Sequence, residues 1–533
     1  GHVAQGYRYY RRITDTTWWI STRRAASREL IRSPEAEDRA AAIIGLLRSG
    51  NVTEAGEALE REGFGRAGQL LGVDSVEGIV VLMRRWPTQA DAPPVPPSAL
   101  RDNLWLQAWL FYATRRAILN DDLTRAYEIA GLMAIHLPDT IPTGEALWWV
   151  AQAYKNAGDM RNATAVYHLI ETRCPNHFRA DNALLHEAEA LEAAGRNEAA
   201  YQKWRQLGTR YPDSRYGPYG LYRCAEMDAA AGRVFRSRLN YALASVNSIG
   251  DYYAHLAYRE LLAGVPEPAR RDAPQPGGPT ALVLPYYQRY APPAPMPPAL
   301  DRDPRVARMR FFGAHGWEEA EWEALGMLST LHDHPQAAFY YRTIVEAGPA
   351  YSVMQHAEQH GFGDRGDRMT PERLRVEWPR AYWPMVQEVA REMEVDPYLM
   401  LAIAKQESTF RPAIQSHAGA TGIMQLMPPT ARWLARVDDK ISAEEGANLH
   451  RPRASWRMGG RYLRRMLDRS DGNLVYALAS YNAGPGNCDK WRAAMPNLPL
   501  ETFVERIPFS ETRDYVKKVL GNYAAYHSLY SGS

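Results

Sequence analysis

Apolar positions recur at helical spacing along most of the chain, and in the first half the recurrence itself repeats. Ala157-Gly158-Asp159, Ala194-Gly195-Arg196 and Ala231-Gly232-Arg233 stand 37 residues apart, and Pro175 and Pro212 keep the same step. Each period reads as two helices. The first runs through Trp149, Ala153 and Tyr154, or through Ala188 and Leu191; the second runs through Ala163, Val166 and Tyr167, or through Ala199, Tyr201 and Trp204. One such pair cannot bury its apolar face alone, so neighbours are expected to stack into a curved solenoid.

The period resembles that of tetratricopeptide-type helical repeats. Further helix pairs are expected over 34–84 and 104–137, separated by the breaker-rich stretch 87–97, which extends the array from about Ala25 to Leu262. A proline-dense connector follows at about 265–304, read as extended and wrapping over the solenoid. A short helical segment then carries Trp317, Trp322, Phe339, Tyr340 and Tyr341 as apolar mass, and Gly361-Phe362-Gly363-Asp364 breaks its pattern. The rest, from Trp378 to Ser533, holds at least four strong helical signals and is long enough for its own core. The expected fold is therefore mainly α: a helical-repeat solenoid over 1–300, a small linker domain over 305–376 and a predominantly helical α+β domain over 377–533.

Length, charge and cysteines narrow the function. The 533 residues exceed what one core supports. Hydrophobic residues reach 46% but never run unbroken for the ~20 positions a membrane helix needs, so no transmembrane segment is expected. With 63 basic and 61 acidic residues, nothing argues for a nucleic-acid partner. Arg461, Arg464, Arg465 and Arg469 share one helical face, which reads as solvated. Three cysteines, Cys174, Cys224 and Cys488, cannot all pair and match no metal site, while a Cys174–Cys224 bridge stays open. The chain opens Gly1-His2 without Met, so an export signal is expected to lie outside it.

Candidate chemistry lies in the last third. Asp396-Pro397 starts a helix with an N-cap and a proline in its first turn. Met400, Ile403 and Glu407 then stand at i, i+3 and i+7, so the glutamate continues a core-facing stripe. From there to Asp438 no acidic residue occurs. A lone buried carboxyl should be protonated near neutral pH, as a general acid requires. The following loop, Gly419-Ala420-Thr421-Gly422-Ile423-Met424-Gln425-Leu426-Met427-Pro428, combines close backbone approach, an amide and an adaptable apolar surface, which suits a sugar. A second stripe, Leu474, Ala477, Leu478 and Tyr481, halts at Gly484-Pro485-Gly486. A third helix starts at Ser510 and places Glu511 and Tyr515 one turn apart.

Together these stretches resemble the soluble lytic murein transglycosylases (family 1), whose catalytic domain has a goose-type lysozyme-like fold. The matching pieces are Glu407-Ser408, Gly422-Ile423-Met424-Gln425-Leu426-Met427-Pro428, Ser480-Tyr481-Asn482-Ala483-Gly484 and Glu511-Thr512-Arg513-Asp514-Tyr515-Val516. Ser480 stands where the family usually has alanine. The resemblance implies a ring-like solenoid and Glu407 as the single catalytic acid and base. It also implies that Ser408, Ser416, Gln425, Met427, Tyr481, Asn482, Glu511 and Tyr515 line a glycan groove, with no cofactor and no metal. Peptidoglycan strands are the implied substrate, and other cell-wall enzymes such as penicillin-binding proteins are implied partners. The implied location is the periplasm, with an N-terminal lipid to the outer membrane as an open alternative.

Glycoside hydrolysis ordinarily uses two carboxylates. The loop after Glu407 offers none, so the expected route is substrate-assisted and ends in a 1,6-anhydro sugar. Gln425 and Tyr481 are expected to orient glycan and acid through hydrogen bonds. Two rivals remain open: a hydrolytic muramidase using Glu511 or Glu445 as second carboxylate, and a non-catalytic cell-wall scaffold.

Overall fold

A computed structural model describes residues 6–8, 10–11, 14, 20–65, 73–85, 102–212, 214–246, 250–263, 302–315, 317, 319–328, 337–348, 350–359, 371–416 and 418–530. The connector expected at about 265–304 falls almost wholly outside them, as does Gly361-Phe362-Gly363-Asp364. The chain divides into two compact units, 1–227 and 228–533.

In the first unit the helix pairs form as the repeat predicts: Leu104–Leu119 with Leu123–His136, Ile141–Asn156 with Met160–Arg173, and Ala180–Ala193 with Asn197–Arg210. The repeated glycine is required by the turn. Gly158, Gly195 and Gly232 have φ of +79°, +71° and +72°, a region that side chains with a Cβ rarely enter. Asp121, at φ +60°, fills the same place one step earlier, so the period extends to a turn that carries no glycine. Asp122 and Asp159 cap the helices that follow, accepting from Arg125 N at 2.9 Å and Asn162 N at 3.0 Å.

The buried face of Ile141–Asn156 keeps Tyr154 of the expected stripe but not its other two members. Leu147, Val150, Ala151 and Tyr154 face the core at i, i+3, i+4 and i+7, while Trp149 and Ala153 are half-buried. Trp149 instead carries the Arg115 guanidinium 3.7 Å from its ring centroid. Across from this face sit Ala163, Val166, Tyr167 and Ile170, all fully buried. Cys174 and Cys224 are both buried free thiols, so the bridge left open by the sequence is not formed. Burial pushes the Cys174 thiol up to about 11. The unit also brings His168, Glu171 and Glu187 within metal-ligand reach of one another, a cluster that spacing did not reveal. Lys203 and Arg210 already pair with its carboxylates.

The second unit begins before the boundary expected at 300. Helices Val234–Val246 and Tyr252–Ala263, read from the sequence as the end of the solenoid, fall within it. Tyr253 donates to Glu505 at 2.5 Å and accepts from Lys517 at 2.6 Å, and Arg259 pairs with Glu501. Gly521 permits this closure: a Cβ there would stand 2.1 Å from the Gly250 carbonyl. Such pairings join residues some 250 positions apart, which local periodicity cannot register.

Among the described residues, five helices over 304–377 follow. Tyr341 is buried among them as expected, but Trp317 and Trp322 remain 49% and 66% exposed rather than forming core. The last part packs around the helix Ser510–Tyr530, which buries Tyr515, Tyr523, Tyr526 and Tyr530. Its ring hydroxyls tie it to earlier segments: Tyr523 donates to Asp396 at 2.6 Å and Tyr526 to the Pro379 carbonyl at 2.9 Å. The β part of the expected α+β domain reduces, among the described residues, to two isolated bridges, Gln415 with Thr421 and Thr421 with Leu426. The arginine face is neutralised locally: Arg461 and Arg465 meet Asp438, Arg464 meets Asp468 and Arg469 meets Asp489. No helix among the described residues is long and apolar enough to cross a membrane.

Candidate active site

Glu407 ends the helix Pro397–Ser408, whose start is fixed by Asp396 accepting from Tyr398 N at 2.7 Å. The helix stops because Thr409 and Phe410 both turn left-handed, at φ +52° and +63°. Neither is glycine, so the turn carries strain, which the fully buried Phe410 ring holds in place. Arg411 Nε then donates to the Ser408 carbonyl at 2.9 Å. Glu407 is thereby held at a rigid helix end beside the loop that follows.

That loop is fastened to three helices. Ser408 Oγ donates to the Ile423 carbonyl at 2.8 Å, Ser455 Oγ accepts from Met424 N at 3.1 Å, and the Tyr481 hydroxyl donates to the Met424 carbonyl at 2.9 Å. Gly422, at φ +83°, lies so close to Leu449 that a Cβ would stand 2.0 Å from its carbonyl oxygen. Gln425 is also left-handed, at φ +46°, and its Nε2 donates to the Gly422 and Ile414 carbonyls at 2.8 and 3.1 Å.

Burial pushes the Glu407 carboxyl up to about 8, the Glu511 charge adds to the rise, and the Tyr515 hydroxyl opposes it. Tyr515 is buried on the last helix and faces the carboxyl, yet its hydroxyl makes no hydrogen bond of standard geometry among the described residues, so the contact is a loose one. Tyr481 lies in the same field, and its phenol is pushed far above the ordinary range by burial and then by Glu407. Tyr462 packs edge-on against Tyr481 with ring centroids 5.2 Å apart. Two tyrosines from two helices thus face one carboxyl group, and a third, Tyr462, backs one of them.

The structure sorts the residues named from the sequence. Glu407, Tyr481, Tyr515 and Glu511 converge. Glu511 is exposed in the first turn of its helix, and Met427 is 39% exposed at the start of the helix Pro428–Val437. Ser416 is exposed in the turn closed by its own Oγ accepting from Ala420 N at 3.0 Å. Asn482 is half-buried and accepts from Thr512 Oγ1 at 2.6 Å, joining two of the site helices.

Two expectations need correction. Ser408 is buried, and its hydroxyl fastens the loop instead of facing a sugar. The Gln425 amide nitrogen likewise bonds within the loop, and the hydroxyl that reaches the acid belongs to Tyr515, whereas Tyr481 donates to the backbone. Glu445, considered as a second carboxylate, closes a capping box with Ser442 and pairs with Arg457. Tyr462, Ser455 and Thr512 were not singled out from the sequence. Tyr462 could have been found, since it follows Met458 and Gly459 at i+4 and i+3 on the apolar face of Pro452–Arg469.

Parts of the chain match known families. Residues 384–503 match the transglycosylase SLT domain, 506–533 match the soluble lytic transglycosylase helical domain, and 182–214 match a tetratricopeptide repeat. The chain is 30% identical over 250 residues to the soluble lytic murein transglycosylase of Salmonella typhimurium, covering 45% of this chain and 36% of that protein. It is 29% identical over 244 residues to the Escherichia coli enzyme of the same name, covering 44% and 35%. The chain thus matches about a third of the length of these curated relatives. Among solved structures, an inactive mutant of the lytic transglycosylase Slt from Pseudomonas aeruginosa aligns over 98% of this chain and 78% of that one, at 21% identity and a TM-score of 0.49.

Proposed function

The chain belongs to the soluble lytic transglycosylases through its C-terminal domain, and from that premise we propose that it cleaves peptidoglycan between N-acetylmuramic acid and N-acetylglucosamine without consuming water. The observation that carries this reading is Glu407: one carboxyl, held protonated up to about pH 8, faced by two phenols and lacking a close carboxylate nucleophile on its own loop.

Glu407 donates its proton to the glycosidic oxygen as the C1–O bond breaks. The oxygen of the muramic N-acetyl group bonds to C1 in its place and takes up the positive charge. Glu407, now a carboxylate, removes the C6 hydroxyl proton; O6 attacks C1, the acetyl oxygen leaves, and a 1,6-anhydro ring closes. The proton returns to the residue that supplied it, so no second catalytic carboxylate is needed. A raised pKa suits the first half of this cycle and makes the carboxylate a stronger base for the second.

Tyr515 is assigned to orient the acid, and Met427, Ser416, Asn482 and Glu511 to border the glycan. Gln425 and Ser408 hold the loop that carries the floor of the groove. A peptidoglycan substrate supports a periplasmic location. The mass of products released from purified sacculi tests the route, because an anhydro end lacks one water relative to a reducing end. Reducing ends alone would establish the hydrolase, with Glu511 as the nearest second carboxylate. Binding of sacculi without release of any product would establish the scaffold.

A further inference from the structure

The helix Val234–Val246 is amphipathic in the opposite sense to a core element. Its buried residues are Ser237, Asn240 and Ala244, small or polar, whereas Phe235, Leu239, Leu243 and Val246 stand from 45% to 81% exposed. At about 3.6 residues per turn these four form one stripe roughly 80° wide, which runs most of the helix's length of about 20 Å. Arg238 lies on one flank of the stripe and Arg236 on the other, both exposed. The helix carries no acidic residue.

Its polar side fastens it. Asp228, fully buried, accepts from Asn240 Nδ2 at 2.9 Å and from Arg233 Nε at 2.6 Å, and Arg236 stands 3.9 Å from the same carboxylate. The large side chains are left facing out, and an apolar face of this extent is costly in water unless something covers it. Arg238 makes no ion pair among the described residues. Charge selects the occupant. A second copy docked through the same face would bring the arginine rims together across a two-fold axis. The 264–301 stretch carries Arg270, Arg271 and Arg289 against Glu267, Asp272 and Asp301, so it offers no net negative charge. An apolar stripe between two basic rims suits the plane of an anionic lipid surface, where apolar side chains enter among the acyl chains and guanidinium groups stay at the phosphates.

We infer that the helix Val234–Val246 docks on a membrane surface bearing anionic phospholipids, with Phe235, Leu239, Leu243 and Val246 inserted at the interface and Arg236 and Arg238 at the headgroup phosphates. The contact lies in the membrane plane and crosses nothing. It is independent of the proposed catalysis, since no residue of this helix belongs to the site around Glu407.

The test sediments the full chain with sucrose-loaded vesicles, one set of phosphatidylcholine alone and one mixed with phosphatidylglycerol. The wild type should bind the mixed vesicles about tenfold more tightly than the neutral ones, and raised salt should weaken that binding. Phe235→Ser should weaken binding to both sets about tenfold. Arg238→Gln should weaken binding to the mixed set alone, about fivefold. Both positions are exposed, so thermal unfolding by circular dichroism and product release from sacculi should match the wild type. Absence of wild-type binding to the mixed vesicles overturns the inference, as does unchanged binding in folded Phe235→Ser. Equal wild-type affinity for the two sets, or an unaffected Arg238→Gln, overturns the anionic contact. Light scattering that shows a dimer dissolved by Phe235→Ser, in place of vesicle binding, assigns the face to a second copy and overturns the lipid.

Discussion

The Tyr481 hydroxyl donates to the Met424 carbonyl at 2.9 Å, and through this bond a helix end some 57 positions away sets the shape of the loop beside Glu407. Tyr481→Phe keeps the ring and leaves that buried carbonyl unpaired. The expected result is a loss of roughly 1–2 kcal/mol in unfolding free energy and a fall of about tenfold in kcat, measured by urea denaturation and by release of soluble muropeptides. Full activity in the variant would show that the bond does not hold the loop for catalysis.

Tyr515 is the group that opposes the rise of the Glu407 pKa. Removing its hydroxyl as Tyr515→Phe should therefore move the alkaline limb of kcat/KM to higher pH from its wild-type position near 8. An unmoved limb with reduced kcat would assign Tyr515 to substrate instead of to the acid.

Glu511 acts in the opposite sense, since its charge adds to the rise. In Glu511→Gln the limb should shift to lower pH, while anhydro products persist. If turnover disappears and the residual products carry reducing ends, Glu511 is a second catalytic carboxylate and the hydrolase is the better description.

Glu407 also makes stability depend on pH. Its pKa is about 8 in the fold and near the ordinary carboxyl value when unfolded, so the folded state binds the extra proton in between. The wild type should lose stability as pH rises from about 4.5 to 8, by an amount on the order of a few kcal/mol, and change little from this group above that range. Glu407→Gln should be inactive, should lack this component and should melt higher than the wild type at pH 8. Parallel melting curves for the two proteins between pH 5 and 8 would place the carboxyl in water.

Gly422 has no room for a methyl group and sits at a φ that L-residues avoid. Gly422→Ala should cost roughly 2–4 kcal/mol and reduce activity at least as strongly as Tyr481→Phe, because both the backbone angle and the Leu449 carbonyl resist it. A variant with wild-type melting temperature would mean that the loop moves away at little cost.

Much of this was legible in the chain itself. Gly158, Gly195 and Gly232 mark turns because only the smallest residue enters their backbone angle easily, and the period they set implies paired helices. Met400, Ile403 and Glu407 mark a buried carboxyl because the helical period places all three on one face. These signals depend on neighbours within a few residues, which is the range over which sequence pattern and backbone geometry are linked.

Other features depended on tertiary structure alone. That Tyr515 rather than Tyr481 reaches the acid, that Ser408 and Gln425 hold the loop, and that Tyr462 joins the cluster all follow from how three helices meet. The exposure of Trp317 and Trp322, against the expectation of core, has the same origin: a helical face is buried only where another element covers it, and composition does not say which one will. Sequence spacing determined which side chains share a face; packing between distant segments decided which of those faces meet, and so which hydroxyl faces which carboxyl.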